Sequence, residues 1–261
     1  MRHRSLALLL PALLLIGSSL VPATRASAET FVESNMDSRV VVALRAPRQS
    51  AVQTWLPAPW KVDPIGSGPS ATANVLMVFI ERILSQDADG KTIPGGNSRA
   101  VAVVVPARNP ETSEASAFVI RVFAGAPGAV PGPYKNSVPA TVTHQQSSKS
   151  EGADTITGEE AWEMRESDGK SIELRFVYDR GPAVRIKSET NVRSAVDPTI
   201  HRIYRLDQGV DVLKSGPAGV EHVRNLQFRI NVPALASVLD GSERVVSISM
   251  LPWYIRQVFV P

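Results

Sequence analysis

The chain has 261 residues, with 28 Lys+Arg against 25 Asp+Glu and no cysteine. The missing thiols exclude disulfide staples, Cys-ligated zinc and thiol catalysis. No run of Lys and Arg occurs, which argues against nucleic acid as a partner and against electrostatic attachment to a membrane surface.

Met1 to Ala28 reads as a secretory signal peptide. Arg2, His3 and Arg4 form a basic start, Leu6 to Ile16 is apolar apart from Pro11, and Ala26-Ser27-Ala28 is a small-x-small cleavage site. The apolar run is too short for a spanning helix. Its removal takes away Arg2, Arg4 and Arg25 and no acid, so 28 basic residues fall to 25 and equal the 25 acidic ones. The remaining 261 − 28 = 233 residues, taken as one domain over 29–261, suffice for one sizeable core without disulfides. The expectation is an exported protein, periplasmic if the source is Gram-negative and secreted otherwise, with no transmembrane segment after cleavage.

Glu29 to Arg39 is polar and Arg39 to Arg45 is strand-like. Ser50 to Leu56 predicts a short helix stopped by Pro57, with Val52, Trp55 and Leu56 on one face. Asn74 to Leu84 is almost continuously apolar and predicts a strand covered on both faces. Arg99 to Pro106 and Ala117 to Ala124 predict two more, and Val138 to His144 a short one. Glu160 to Arg165 and Ser171 to Asp179 predict a hairpin. In the second arm Ile172, Leu174, Phe176 and Tyr178 alternate with the intervening residues at period two. Thr157-x-x-Glu160 leaves a capped helix open as an alternative.

Ala183 to Glu189, Ile200 to Leu206, Gly209 to Lys214, Val220 to Asn231, Arg244 to Met250 and Trp253 to Val260 complete the strands, and Pro233 to Leu239 predicts a helix. Short strands at regular spacing imply a mainly β fold, an antiparallel barrel or closed sandwich with two or three short helices. Three pairs interrupt the apolar strands. Glu81-Arg82 either lines a polar patch or marks where its strand leaves the core, whereas Tyr204-Arg205 and Arg256-Gln257 are expected to face outward.

Two pieces resemble the acetoacetate decarboxylase family. One is the order strand, short helix, Leu-Pro at Arg39–Arg45, Ser50–Trp55 and Leu56-Pro57. The other is Tyr134-Lys135-Asn136-Ser137-Val138-Pro139-Ala140, which is similar to a family segment Y-L-D-N-E-P-A. The resemblance implies a closed antiparallel β structure around an apolar cavity. It also implies a chemistry in which a lysine of lowered pKa forms a Schiff base with a β-keto acid. The sequence departs from the family here. The family's Gly-Arg-Glu falls on His144-Gln145-Gln146 and its Lys-Lys pair on Gly152-Ala153.

Lys135, His144 and Lys149 are the candidate catalytic residues that remain, and Asn74, Glu81, Tyr134 and His144 the candidate ligand-binding residues. His144, His201 and His222 have no metal-ligand spacing, so neither a metal nor a cofactor is expected. The expected function is the binding of a small apolar or amphipathic molecule, a keto-acid-like one among the options, in a central cavity without Schiff-base chemistry. A divergent enzyme acting on a carbonyl compound and a cell-envelope interaction protein are the alternatives.

Overall fold

A computed structural model describes residues 28–125, 134–151 and 155–261. The signal segment, apart from Ala28, and the Gly152-Ala153 pair lie outside the described residues.

The strands are β1 (Thr30–Arg45), β2 (Lys61–Val62), β3 (Val75–Asp87), β4 (Ser98–Arg108), β5 (Ala115–Ala124), β6 (Ser137–Pro139), β7 (Thr141–Glu151), β8 (Thr155–Arg165), β9 (Ser171–Asp179), β10 (Val184–Ser194), β11 (His201–Ser215), β12 (Val220–Glu221), β13 (Val223–Asn231) and β14 (Arg244–Val260). Among the described residues one α-helix, α1 (Gln49–Gln53), lies between β1 and β2, and Pro233–Leu235 is a single 3-10 turn where the sequence predicts a longer helix. Trp60 packs edge-on against Phe118 at 4.9 Å, and Val52 of α1 and Leu56 are buried with them in the same core. The fold is mainly β.

Seven strands close into a ring in the order β4-β3-β1-β14-β11-β10-β5, with β5 pairing back onto β4. Most pairings are antiparallel, but β10–β5 and β5–β6 are parallel. A second sheet, β13-β9-β8-β7, is antiparallel throughout. The segment Thr155–Arg165 is thus a strand of a hairpin, and the capped-helix alternative falls.

Alternation divides the side chains of the ring between two environments. Along β3, Val75, Met77 and Phe79 belong to the main core, which also takes in Trp162, Met164, Leu174 and Phe176 from the second sheet. Phe79 and Trp162 meet across this layer at 5.7 Å. Leu76, Val78 and Ile80, on the other side of β3, face into the ring. The long runs that the sequence divides in two, His201–Ser215 and Arg244–Val260, are single strands carried past Gly209 and Pro252 by register shifts. Among the described residues no helix is long and apolar enough to cross a membrane.

Candidate functional site

The ring encloses a cavity of about 630 Å³. Its walls are aliphatic and come from every strand of the ring, including Val41, Val78, Ala102, Val119, Val192, Leu206 and Leu251. Register shifts let residues three apart share this inner side. Leu251 and Tyr254 flank the shift at Pro252, and Val119 and Val122 flank the one on β5. Val184 and Ile186 line the cavity and are also exposed, at 54% and 40%. Over Val184–Asn191, β10 pairs with β11, whereas β10 meets β5 only over Val192–Ser194. The exposed half of β10 therefore forms the rim of the opening.

Away from that rim the lining turns polar. Arg39 and Arg256 line the cavity with Tyr134, Tyr204 and Tyr254. Arg39 lies over the Tyr254 ring at 3.8 Å and Arg256 over the Tyr204 ring at 4.5 Å, both within cation–π range. Arg82 follows Ile80 on the inner side of β3, and its Nε donates to Asp37 at 3.3 Å. Arg39 donates to the other Asp37 oxygen through Nε at 3.2 Å and through Nη2. Arg256 donates to Glu33 at 3.3 Å.

Asp37 is fully buried. Burial opposes its ionisation, but Arg39, Arg82 and Arg256 outweigh burial and hold its carboxyl below the usual range. Arg82 is pushed down to about 10 by burial and by the neighbouring Arg256. Tyr134 and Tyr204 share a hydrogen bond between their hydroxyls. Burial and then Tyr204 push the Tyr134 hydroxyl well up, so it stays a neutral donor. Ser194 seats Tyr134: its Oγ donates to the Tyr134 carbonyl at 2.5 Å and accepts the Val196 and Asp197 N–H groups at 3.3 Å each.

The residues singled out from the sequence divide between three places. Tyr134 is in the cavity. Asn74 is buried outside it, where its side chain accepts from the Ala46 N–H and donates to the Ala46 carbonyl, both at 2.9 Å. That pairing ties the end of β1 to the start of β3. Glu81 and His144 lie between the ring and the second sheet. His144 Nδ1 meets Glu81 at 2.6 Å, Nε2 meets Glu160 at 2.7 Å, and the ring stacks on Trp162 at 3.8 Å. Trp162 Nε1 donates to the same Glu160 oxygen at 2.7 Å, and Arg99 caps Glu81. Lys135 is exposed and pairs with Asp197 at 2.8 Å, and Lys149 is exposed on β7. None of the chain's seven lysines lines the cavity.

Tyr204 and Arg256, expected to face outward, face inward instead. Arg82 shares parity with Leu76, Val78 and Ile80, so a charge at the end of an inner apolar stripe was the legible signal. Among the described residues no group of three His, Cys, Asp or Glu side chains is placed to hold a metal.

No family model and no curated protein matches the sequence. Solved structures do. An acetoacetate decarboxylase-like enzyme from Sphingomonas wittichii RW1 superposes with a TM-score of 0.55 at 13% identity, over 87% of this chain and 90% of that one. The enduracididine biosynthesis enzyme MppR, complexed with the condensation product of pyruvate and imidazole 4-carboxaldehyde, gives 0.54 at 11% over 95% of both chains. The acetoacetate decarboxylase of Legionella pneumophila gives 0.50 at 13% over 93% of both. With the closed ring, the cavity and these superpositions, the chain has the acetoacetate decarboxylase-like fold.

Proposed function

We propose that the chain is an exported protein that holds a small apolar or amphipathic molecule in its ring cavity, without Schiff-base decarboxylase chemistry. One observation carries this reading: an aliphatic cavity of about 630 Å³ that no lysine lines. An enclosed apolar space of this size, with a few convergent polar groups, has the form of a small-molecule site. A Schiff base needs an uncharged amine at the substrate carbonyl, and Lys135 and Lys149 are both on the surface. MppR, which shares the fold, has been captured with pyruvate. That supports a small molecule as the occupant of such a ring. The signal-like start supports export.

The uncharged fluorophore N-phenyl-1-naphthylamine is expected to brighten on binding the purified protein. Val78→Trp, which narrows the cavity from β3, is expected to weaken that signal in a protein of unchanged circular dichroism. Borohydride reduction with pyruvate is expected to leave the mass unchanged. Fluorophore binding undiminished by Val78→Trp, or a reduced adduct on a lysine, would contradict the reading.

A further inference from the structure

The polar end of the cavity holds more positive charge than its own carboxylates neutralise. Arg39, Arg82 and Arg256 gather around Asp37, and Glu33 takes one bond from Arg256. Three guanidiniums meet two carboxylates, which leaves one positive charge among side chains that are buried apart from the partly exposed Glu33. Arg82 and Arg256 are each 4% exposed. Two of their N–H groups, Arg82 Nη2 and Arg256 Nε, are buried without a hydrogen-bond partner. Orphaned donors on a buried cation cost free energy, so each calls for an acceptor. Glu33 is also held by Asn35 at 2.8 Å, which Ser85 holds in turn at 2.8 Å, so neither is free to swing across.

Resting on the reading that the cavity binds a small molecule, we propose that its occupant is an aliphatic monocarboxylic acid, with its carboxylate against Arg256 and Arg39, which line the cavity in front of Arg82 and Asp37, and its chain toward Val184 and Ile186. The surplus of one charge matches a monoanion, and a phosphate dianion would overshoot it. Planar guanidinium forks suit a carboxylate, which can accept two parallel N–H bonds. The hydrogen-bonded Tyr134–Tyr204 pair adds a hydroxyl donor beside Arg256. The inner side of β11 carries Tyr204, Leu206, Gln208, Val210 and Val212 in alternation from the charged end to the open end. That run is roughly 25 Å along the strand, so the space is long for its volume and fits one extended chain. Charge at one end and exposed apolar side chains at the other fix the direction in which the acid lies.

Calorimetric titration with decanoate and with decan-1-ol at pH 7.5 separates the two claims, because the ligands share a chain and differ in the head. Decanoate is expected to bind at least ten-fold more tightly than decanol. Arg256→Met is expected to bring decanoate down to the level of decanol binding by the same variant. Equal binding of the two by the wild-type protein would overturn the carboxylate proposal and leave the cavity reading standing. Binding of neither would overturn both. The wild-type comparison needs no variant, so a misfolded Arg256→Met leaves the proposal open to refutation. Undiminished decanoate binding by Val78→Trp would place the acid elsewhere and also overturn the proposal.

Discussion

His144 shows at the scale of one residue how far a side chain's role is set by what the fold brings to it. Its ring sits between Glu81 of the ring and Glu160 of the second sheet. Burial alone would lower its pKa. The Glu160 and Glu81 carboxylates outweigh burial and raise it above the usual 6.5. A raised folded value means that the bridge contributes its full stability below about 6.5, and that this contribution is lost as pH rises through the folded value. Burial opposes ionisation of Glu81, but the bonds from His144 and Arg99 hold its carboxyl low, so its share is lost only in acid. The imidazole resonances should titrate with a midpoint above 6.5. Unfolding free energy should fall across that midpoint by about 1.4 kcal/mol for each unit of elevation, and His144→Gln should remove the step. A midpoint below 6.5 would contradict this account. The sequence places His144 at the end of an apolar strand in the resembling segment. It does not place Glu160 or Trp162 beside it, because those contacts depend on the register of β7 on β8.

Strand existence was legible at the scale of elements, because alternation and continuous apolar runs are local. The second arm of the hairpin alternates as the burial of Ile172, Leu174, Phe176 and Tyr178 requires. Strand ends and continuity were less legible. Pro252 and Gly209 read as breaks, yet each sits where a register shift lets a strand of the ring bend without stopping. Glu29–Arg39 reads as polar because its inner side carries the buried charge cluster, although it is regular strand from Thr30. Gly158 of β8 pairs with Tyr178 of β9, whose ring lies over it. A Cβ at 158 would stand 2.3 Å from that ring. Tyr178 is buried in the core and has little room to move. Gly158→Ala should therefore cost about 1–3 kcal/mol, read as a lowered urea midpoint. An unchanged midpoint would show that the hairpin adapts freely.

At the scale of the whole molecule, the cavity is a property of ring closure. Its lining comes from seven strands scattered from Arg39 to Arg256, and no local pattern joins them. The Y-x-N-x-x-P-A resemblance pointed to the fold and to Tyr134. The arginine cluster was invisible in sequence because Arg39, Arg82 and Arg256 stand in three strands that become neighbours only when β1 pairs with both β3 and β14. The central claim, that this ring carries a small molecule, is tested most directly by native mass spectrometry of the protein purified from its own source. The native mass is expected to exceed the denatured mass by a discrete, reproducible amount, and solvent extraction is expected to release the compound responsible. Identical native and denatured masses in gently handled preparations would contradict the claim.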